Sequence, residues 1–416
     1  MAQWAVEAIE AETPALPVPN RIARGTPAYR RARWALFAGG FTTFAMLYCV
    51  QPMMPAFAAY FGIGAAASSL AVSVTTALLA VSMPLAGAVS EVYGRKGPMT
   101  ASLFAAAGLC LLTALAPSWR DVLIARTIEG LALACVPAVA IAYLSEEIEP
   151  RDLGGTIGLY VGGTAIGGMI GRLLTGVLMD LTGSWRVAMA VMALLALFAA
   201  VVFVRLLPPS RHFPPSTGFD FGRLIAGVRR HAADPVIRKL CLVGFLLMGS
   251  FVTIFNYISY RLAAPPYGLS QSAVGAIFLV YVIGLPAPPW FGALSGRIGH
   301  APVLAAAIIM MLAGLAITCV QSLVVVILGL ALLSAGFFSA HTIASSWVGL
   351  RADGAKAQAS SLYLLAYYVG SSIAGWLGGR LWESFAWNGV AGFVALLLTT
   401  ALVIAFRLGR YPRRSA

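Results

Sequence analysis

Charge is what this chain has least of. Asp, Glu, Lys and Arg make up only 10% of its 416 residues, against about 25% in soluble domains, which excludes an ordinary water-soluble globular fold. Several chemical signatures are missing as well. There is no G-x-x-x-x-G-K-S/T loop to cradle nucleotide phosphates, no H-E-x-x-H or other metal-ligand spacing, and no G-x-S-x-G turn to present a nucleophile. ATP-driven work, a bound metal and hydrolase chemistry lack their residues, and no enzyme is expected. The five cysteines (Cys49, Cys110, Cys135, Cys241 and Cys319) lie in apolar runs without metal or redox spacing and read as small core hydrophobes. Residues 1–33 hold Glu7, Glu10 and Glu12 but no apolar h-region, so no signal peptide is expected.

What the chain does have is apolar length. It is 60% hydrophobic with a mean hydropathy of +0.87, and the apolar residues come in runs of the roughly 20 residues that cross a bilayer as a helix. The ten-residue alternating segments of a membrane barrel are not visible. Twelve spans are expected, at 34–58, 68–90, 98–116, 120–144, 153–181, 185–206, 239–262, 272–294, 301–320, 322–346, 358–382 and 386–407. The fold class is therefore an all-α polytopic membrane protein. Residues 1–33 read as a disordered cytoplasmic tail, 34–206 and 239–407 as two six-helix bundles, 207–238 as a basic, proline-containing linker, and 408–416 as a second tail.

The net charge of +13 follows from topology rather than from nucleic-acid binding. With the N-terminus inside, 22 of the 28 Lys and Arg residues fall in inside segments. Arg120, Arg186, Arg261 and Arg380 fall outside, and Arg126 and Arg172 lie within spans. That bias places both termini in the cytoplasm. Short tails and arginine-rich, lysine-poor usage fit a bacterial inner membrane.

The chain is also internally repeated. Gly87, Ala88, Ser90 and Gly94, between spans 2 and 3, recur 205 residues later as Gly292, Ala293, Ser295 and Gly299. Leu159-Tyr160, Gly167 and Gly176 recur at an offset of 203 as Leu362-Tyr363, Gly370 and Gly379, and Trp185 recurs as Trp387. Several matches at nearly one offset imply two six-helix halves related by an axis along the membrane normal, with a site between them near the midplane.

Three motifs carry a family resemblance. Gly87, Gly94, Arg95 and Lys96 are similar to the G-x-x-x-D-R-x-G-R-R/K hairpin of the major facilitator superfamily, with Glu91 and Val92 in place of its usual Asp and Arg. Arg126-Thr127-Ile128-Glu129-Gly130 resembles the R-x-x-Q-G element of proton-driven exporters. Residues 163–172 resemble the exporters' G-x-x-x-G-P-x-x-G-G element, with Gly168 at the proline position and Arg172 at a glycine position. The resemblance covers residues 34–407. It is strongest to the drug/proton antiporter branch, near the members similar to sugar-efflux permeases, although the first span lacks the carboxylate that several multidrug members carry.

The resemblance implies a secondary active transporter working by alternating access in the lipid bilayer. It would act as a monomer, without cofactor, driven by the proton gradient, and would export a small organic solute. Import is the alternative within transport, and a membrane sensor on a transporter fold the alternative outside it; tails this short leave no room for a sensor's soluble domain. The resemblance also makes Gly87, Glu91, Gly94, Arg95 and Lys96 a gating hairpin whose acid pairs with the other half in the outward-facing state. The second copy has Gly296 where Glu91 stands, so only one half can make that charged contact.

Charges inside spans are costly and usually functional. Arg126, Glu129 and Arg172 fall at similar depths in the outer half of the first bundle and are expected to form one cluster. Glu129 is then either the proton carrier or a structural counter-ion, and Arg126 or Arg172 could instead bind an anionic substrate. Amides and aromatics in spans 1, 5, 7, 8, 10 and 11 are expected to line the substrate cavity: Tyr48, Gln51, Tyr160, Asn256, Tyr257, Tyr281, His341, Tyr363 and Tyr367, since an amide facing lipid is costly. Gly163, Gly167 and Gly171 are read as a small-residue stripe for close helix packing, to which the family adds a rocking interface between the halves.

Overall fold

The computed structural model describes residues 21–213, 221–352 and 356–410. The expected tail residues 1–20 and 411–416 and linker residues 214–220 lie outside them. Among the described residues no strand forms. Ten helices are long and apolar enough to cross a membrane. The last of these breaks at Ala386 (φ 49, ψ −140) into spans 11 and 12. The helix Pro27–Tyr48, continued by Met54–Phe61, stands where the first span is expected, which is consistent with twelve.

Prolines and caps set where the spans begin and break. Thr26 caps span 1 through the N–H of Tyr29, ahead of Pro27; Asp234 does the same for span 7, Pro235–Ala263, through Val236 and Ile237. A cap followed by proline is a helix start that uses proline's missing N–H where none is needed. Residues 27–33 are accordingly helical rather than part of a disordered tail, and Ile22 exchanges backbone bonds with Glu147 and Glu149. The linker likewise contains a helix, Phe221–Ala233. Pro52 and Pro55 coincide with the break in span 1. Pro286, Pro288 and Pro289 coincide with the break in span 8, whose pieces run from Gln271 to Gly284 and from Ala287 to Ile298. Proline removes a helix donor and crowds the preceding turn.

The repeat is physical. Gly94 and Gly299 close the two hairpins with φ 82, ψ 173 and φ 98, ψ 161, a region that is essentially glycine's alone. A Cβ on Gly167 would strike the backbone of Phe41, and one on Gly370 would strike that of Phe245. Span 5 thus packs on span 1 as span 11 packs on span 7. Gly163 and Gly171 meet Phe37 and Ala45 of span 1 in the same way. Residues 163, 167 and 171 share one helical face, and that face is spent within the first half, so these glycines do not form an interface between the halves. Four cysteines are buried in the core, whereas Cys319 is exposed.

Candidate functional site

The halves are joined at the end away from the hairpins. The Asp180 carboxylate, late in span 5 (Pro150–Thr182), accepts the backbone N–H groups of Gln271 (2.9 Å) and Ser272 (2.8 Å) at the start of span 8, and the Ser272 hydroxyl. Glu383, in span 11, accepts the N–H of Ala66 (2.9 Å) at the start of span 2, Ala65–Tyr93. Unsatisfied N–H groups and the helix dipole make a helix start a natural seat for a carboxylate. Deeper in, Tyr260 bonds to Ser68 and to the Met54 carbonyl, and Thr76 bonds to Ser372. Gln51 Nε2 donates to Asn256 Oδ1 at 2.6 Å, a bond between two positions 205 residues apart.

The hairpin end is different. Glu91 is exposed, and no ion pair forms at it among the described residues. Arg95 is tied within its own half, to Glu146 at 2.6 Å and to Ser90 at 2.7 Å, and Lys96 Nζ donates to the Leu207 carbonyl at 2.5 Å. Gly87, with Gly158 and Gly162 of span 5, faces open space. Between the halves lies a cavity of about 610 Å³, within the range of small-molecule sites. Of the nine residues expected to line it, Tyr48, Gln51, Tyr281, His341 and Tyr367 do so. The other four stand outside the lining. Tyr160 packs on Gly40 of span 1, Tyr257 donates to the Gly375 carbonyl, Asn256 is held by Gln51, and Tyr363 bonds to His341 Nδ1 at 3.0 Å. Each contacts a neighbouring helix, and Tyr257, Asn256 and Tyr363 find a hydrogen-bond partner there.

The expected three-charge cluster separates into two sites. Arg126 and Glu129 form a fully buried pair at 2.8 Å, with Glu129 Oε1 left without a partner. Arg126 also donates to the carbonyls of Ala71 (3.1 Å), Met46 (3.1 Å) and Leu47 (2.9 Å). The last two are available because span 1's helix stops at Tyr48, which orphans its final carbonyls. Gly130 lets span 4 come this close, since a Cβ there would strike the backbone of Thr75. Arg172 does not join the pair. Its Nε donates to Gln51 Oε1 and its Nη1 to the Gly168 carbonyl, both at 2.5 Å. Its guanidinium lies 4.4 Å from the Tyr48 ring centre and 4.6 Å from that of Phe278. The unwound stretch 49–53 separates the two arginines: one takes the carbonyls just before it, the other the Gln51 side chain within it.

Sequence reasoning did not single out Glu146, Asp180 or Glu383. The last two stand 203 residues apart, at the repeat's own offset, and that coincidence was readable. It also passed over Phe251, Phe255 and Phe337, which line the cavity, because a search for polar groups in apolar spans discards phenylalanine.

A family model described as Major Facilitator Superfamily matches residues 36–352. The chain belongs to the Major Facilitator Superfamily. This facilitator is 46% identical over 389 residues to the uncharacterized MFS-type transporter YybF of Bacillus subtilis (strain 168), covering 94% of this chain and 96% of that one. It is 46% identical over 393 residues to the inner membrane transport protein YnfM of Escherichia coli (strain K12), covering 94% of each. In fold it is similar to a bacterial homolog of the human lysosomal transporter Spinster in an inward-facing and occupied conformation. That match has a TM-score of 0.78 at 14% identity and covers 93% of this chain and 98% of the other. The facilitator is a multi-pass membrane transporter, as the hairpin, span-4 and span-5 motifs led one to expect.

Proposed function

We propose that this facilitator is a proton-coupled secondary transporter that exports a small organic solute across a bacterial cytoplasmic membrane by alternating access. The observation that carries the reading is the cavity between the halves, closed at one end by hydrogen bonds between them and reaching span-5 glycines that face open space toward the other. A midplane site at a repeat interface is how such folds alternate. The distribution of Lys and Arg supports cytoplasmic termini and hairpins, which makes this the inward-facing state. Glu91, in no ion pair among the described residues, is the charge available to close the hairpin end. Exporter-like residues at 126–130 and 163–172 support export.

Glu129 supports proton coupling. It is buried within a span with one oxygen unpartnered, and a proton on it would neutralise the acid that faces Arg126. Arg126 in turn holds the carbonyls of Met46 and Leu47, five and four residues before the Gln51 that bonds both Arg172 and Asn256. A proton at Glu129 is thereby linked, through the break in span 1, to the cavity wall and to the other half. The test is transport in proteoliposomes with an imposed pH gradient and a trapped pH dye, across a panel of organic solutes. Wild type should move protons when solute is added, and Glu129→Gln should abolish gradient-driven transport. Undiminished gradient-driven transport by Glu129→Gln would remove Glu129 as carrier, and no solute-dependent proton movement in wild type would remove the antiport.

A further inference from the structure

We infer that the cavity is built for an amphipathic organic monoanion, its acidic group held by Arg172 and its apolar body by the aromatic wall. The inference rests on the transport reading above and names the substrate class of that site. It also decides between the two arginines that sequence alone left as candidates. Arg126 is closed to a ligand: each of its nitrogens has a protein acceptor, and Glu129 supplies its counter-charge. Arg172 has no acid. Its two hydrogen-bond partners, Gln51 and Gly168, are neutral, and Nη2 has no partner among the described residues. It is 3% exposed and, among the described residues, is the one Asp, Glu, Lys or Arg on the cavity wall. A buried cation in a membrane is held by pairing, and among the described residues no acid pairs with Arg172.

The arrangement around it is that of a prepared anion seat. Gln51 and Gly168 fix the guanidinium edge, and the guanidinium carbon lies over the rings of Tyr48 and Phe278. A guanidinium so fixed presents its remaining N–H groups in the geometry that suits a carboxylate. Tyr281 adds a second donor. Its ring centre lies 5.5 Å from the Arg172 guanidinium carbon, and its hydroxyl is buried without a hydrogen-bond partner. Gly168, at the exporters' proline position, leaves room for this, since a Cβ there would come within 3.2 Å of Arg172 Nη1. The remaining wall is mostly apolar, with Phe44, Phe251, Phe255 and Phe337 among its rings, and suits an apolar body.

The experiment is a charge series at constant shape. Wild-type protein in nanodiscs is titrated calorimetrically with 4-phenylbutyrate, 4-phenylbutanamide and 4-phenylbutylamine, and with the same three head groups on indole and hexyl bodies. The carboxylate of at least one body should bind about tenfold or more tighter than its amide, as expected for a charge-assisted bidentate contact, and the amine should bind weakest. Arg172→Gln should remove the carboxylate preference and Arg172→Lys should retain part of it. Tyr281→Phe, which keeps the ring, should weaken the carboxylate a few-fold and leave the amide unchanged. Equal or tighter binding of the amides or amines, no carboxylate binding at millimolar concentration, or an undiminished preference in Arg172→Gln would each overturn the inference. If Arg172→Gln does not fold, the wild-type series and Tyr281→Phe still decide. Binding in nanodiscs needs no gradient, so anion preference without proton-driven transport would sink the transport reading alone, and the reverse result this inference alone.

Discussion

The two halves agree in their frame and differ in their chemistry. Each closes a hairpin with a glycine that other residues would strain to replace, Gly94 and Gly299. Each packs its fifth helix on its first through one glycine, Gly167 on Phe41 and Gly370 on Phe245. Each sets an acid on a helix start of the other half, Asp180 at Gln271 and Glu383 at Ala66. The buried charge, however, sits in the first half. Arg126, Glu129 and Arg172 have no charged counterparts in spans 10 and 11 at the repeat offsets, where Ala331, Ser334 and Gly375 stand. The second half contributes much of the aromatic wall: Phe251, Phe255, Tyr281, Phe337 and Tyr367. Backbone approach and helix-end contacts belong to the architecture and must work in both halves. An ion site and an apolar site need only occur once, and here the arginine comes from the first half while most of the aromatic wall comes from the second.

The sharpest break in that comparison is the pair that only the first half holds. Arg126→Gln leaves Glu129 buried without its counter-charge and should destabilise the protein by about 3–5 kcal/mol. The double change Arg126→Met with Glu129→Leu should recover most of that loss. Unfolding in mixed micelles with increasing SDS measures both; a double variant no more stable than the single one would contradict the account. Next comes the shared frame. Gly167→Leu and Gly370→Leu each force a side chain against backbone and should each cost about 1–3 kcal/mol or more. Similar losses would support equivalence of the halves; a neutral substitution in one would break it.

A smaller effect separates the two first helices. Span 1 is capped by Thr26 and span 7 by Asp234, which also pairs with Arg351 at 3.0 Å. Partial burial raises the pKa of Asp234, but the N–H groups of Val236 and Ile237 and the Arg351 guanidinium outweigh it and hold the carboxyl below the usual carboxylate range. A lowered folded-state pKa means stability present at neutral pH and lost as pH falls through the lowered value. Asp234→Ala should therefore cost about 1 kcal/mol at pH 7 and progressively less in acid. Thr26→Ala should carry no such pH dependence of its own. The same unfolding titration, run across pH, reads both.

Much of the frame was legible in the sequence because it is written in one-body terms. Apolar length and proline and glycine positions are properties of a segment in its solvent. Matching glycines 203 and 205 residues apart reappear as matching contacts and matching backbone angles. Partnerships were less legible. Arg172 was grouped with Glu129 by depth alone, yet depth does not say which face of a helix a residue occupies. The break at residues 49–53 then gave each arginine its own set of acceptors. Glu146, Asp180 and Glu383 were not singled out; a charge at a span end has a sufficient explanation in water. Their roles come from helix ends brought beside them by the fold.

The central claim is that the closed end is held by contacts designed to open. Spin labels on spans 5 and 8 at the Asp180–Gln271 end, and a second pair on spans 2 and 8 beside Glu91 and Gly296, report both ends by pulsed dipolar distances in nanodiscs. Each carboxylate on a helix start contributes about 0.3–1 kcal/mol. Asp180→Asn with Glu383→Gln should therefore lengthen the first distance and shorten the second in a growing fraction of molecules. Asp180→Asn alone should do more than Glu383→Gln alone, because Asp180 holds two N–H groups and a hydroxyl where Glu383 holds one N–H. Distances that stay fixed at both ends in the double variant, or that lengthen together, would contradict the account.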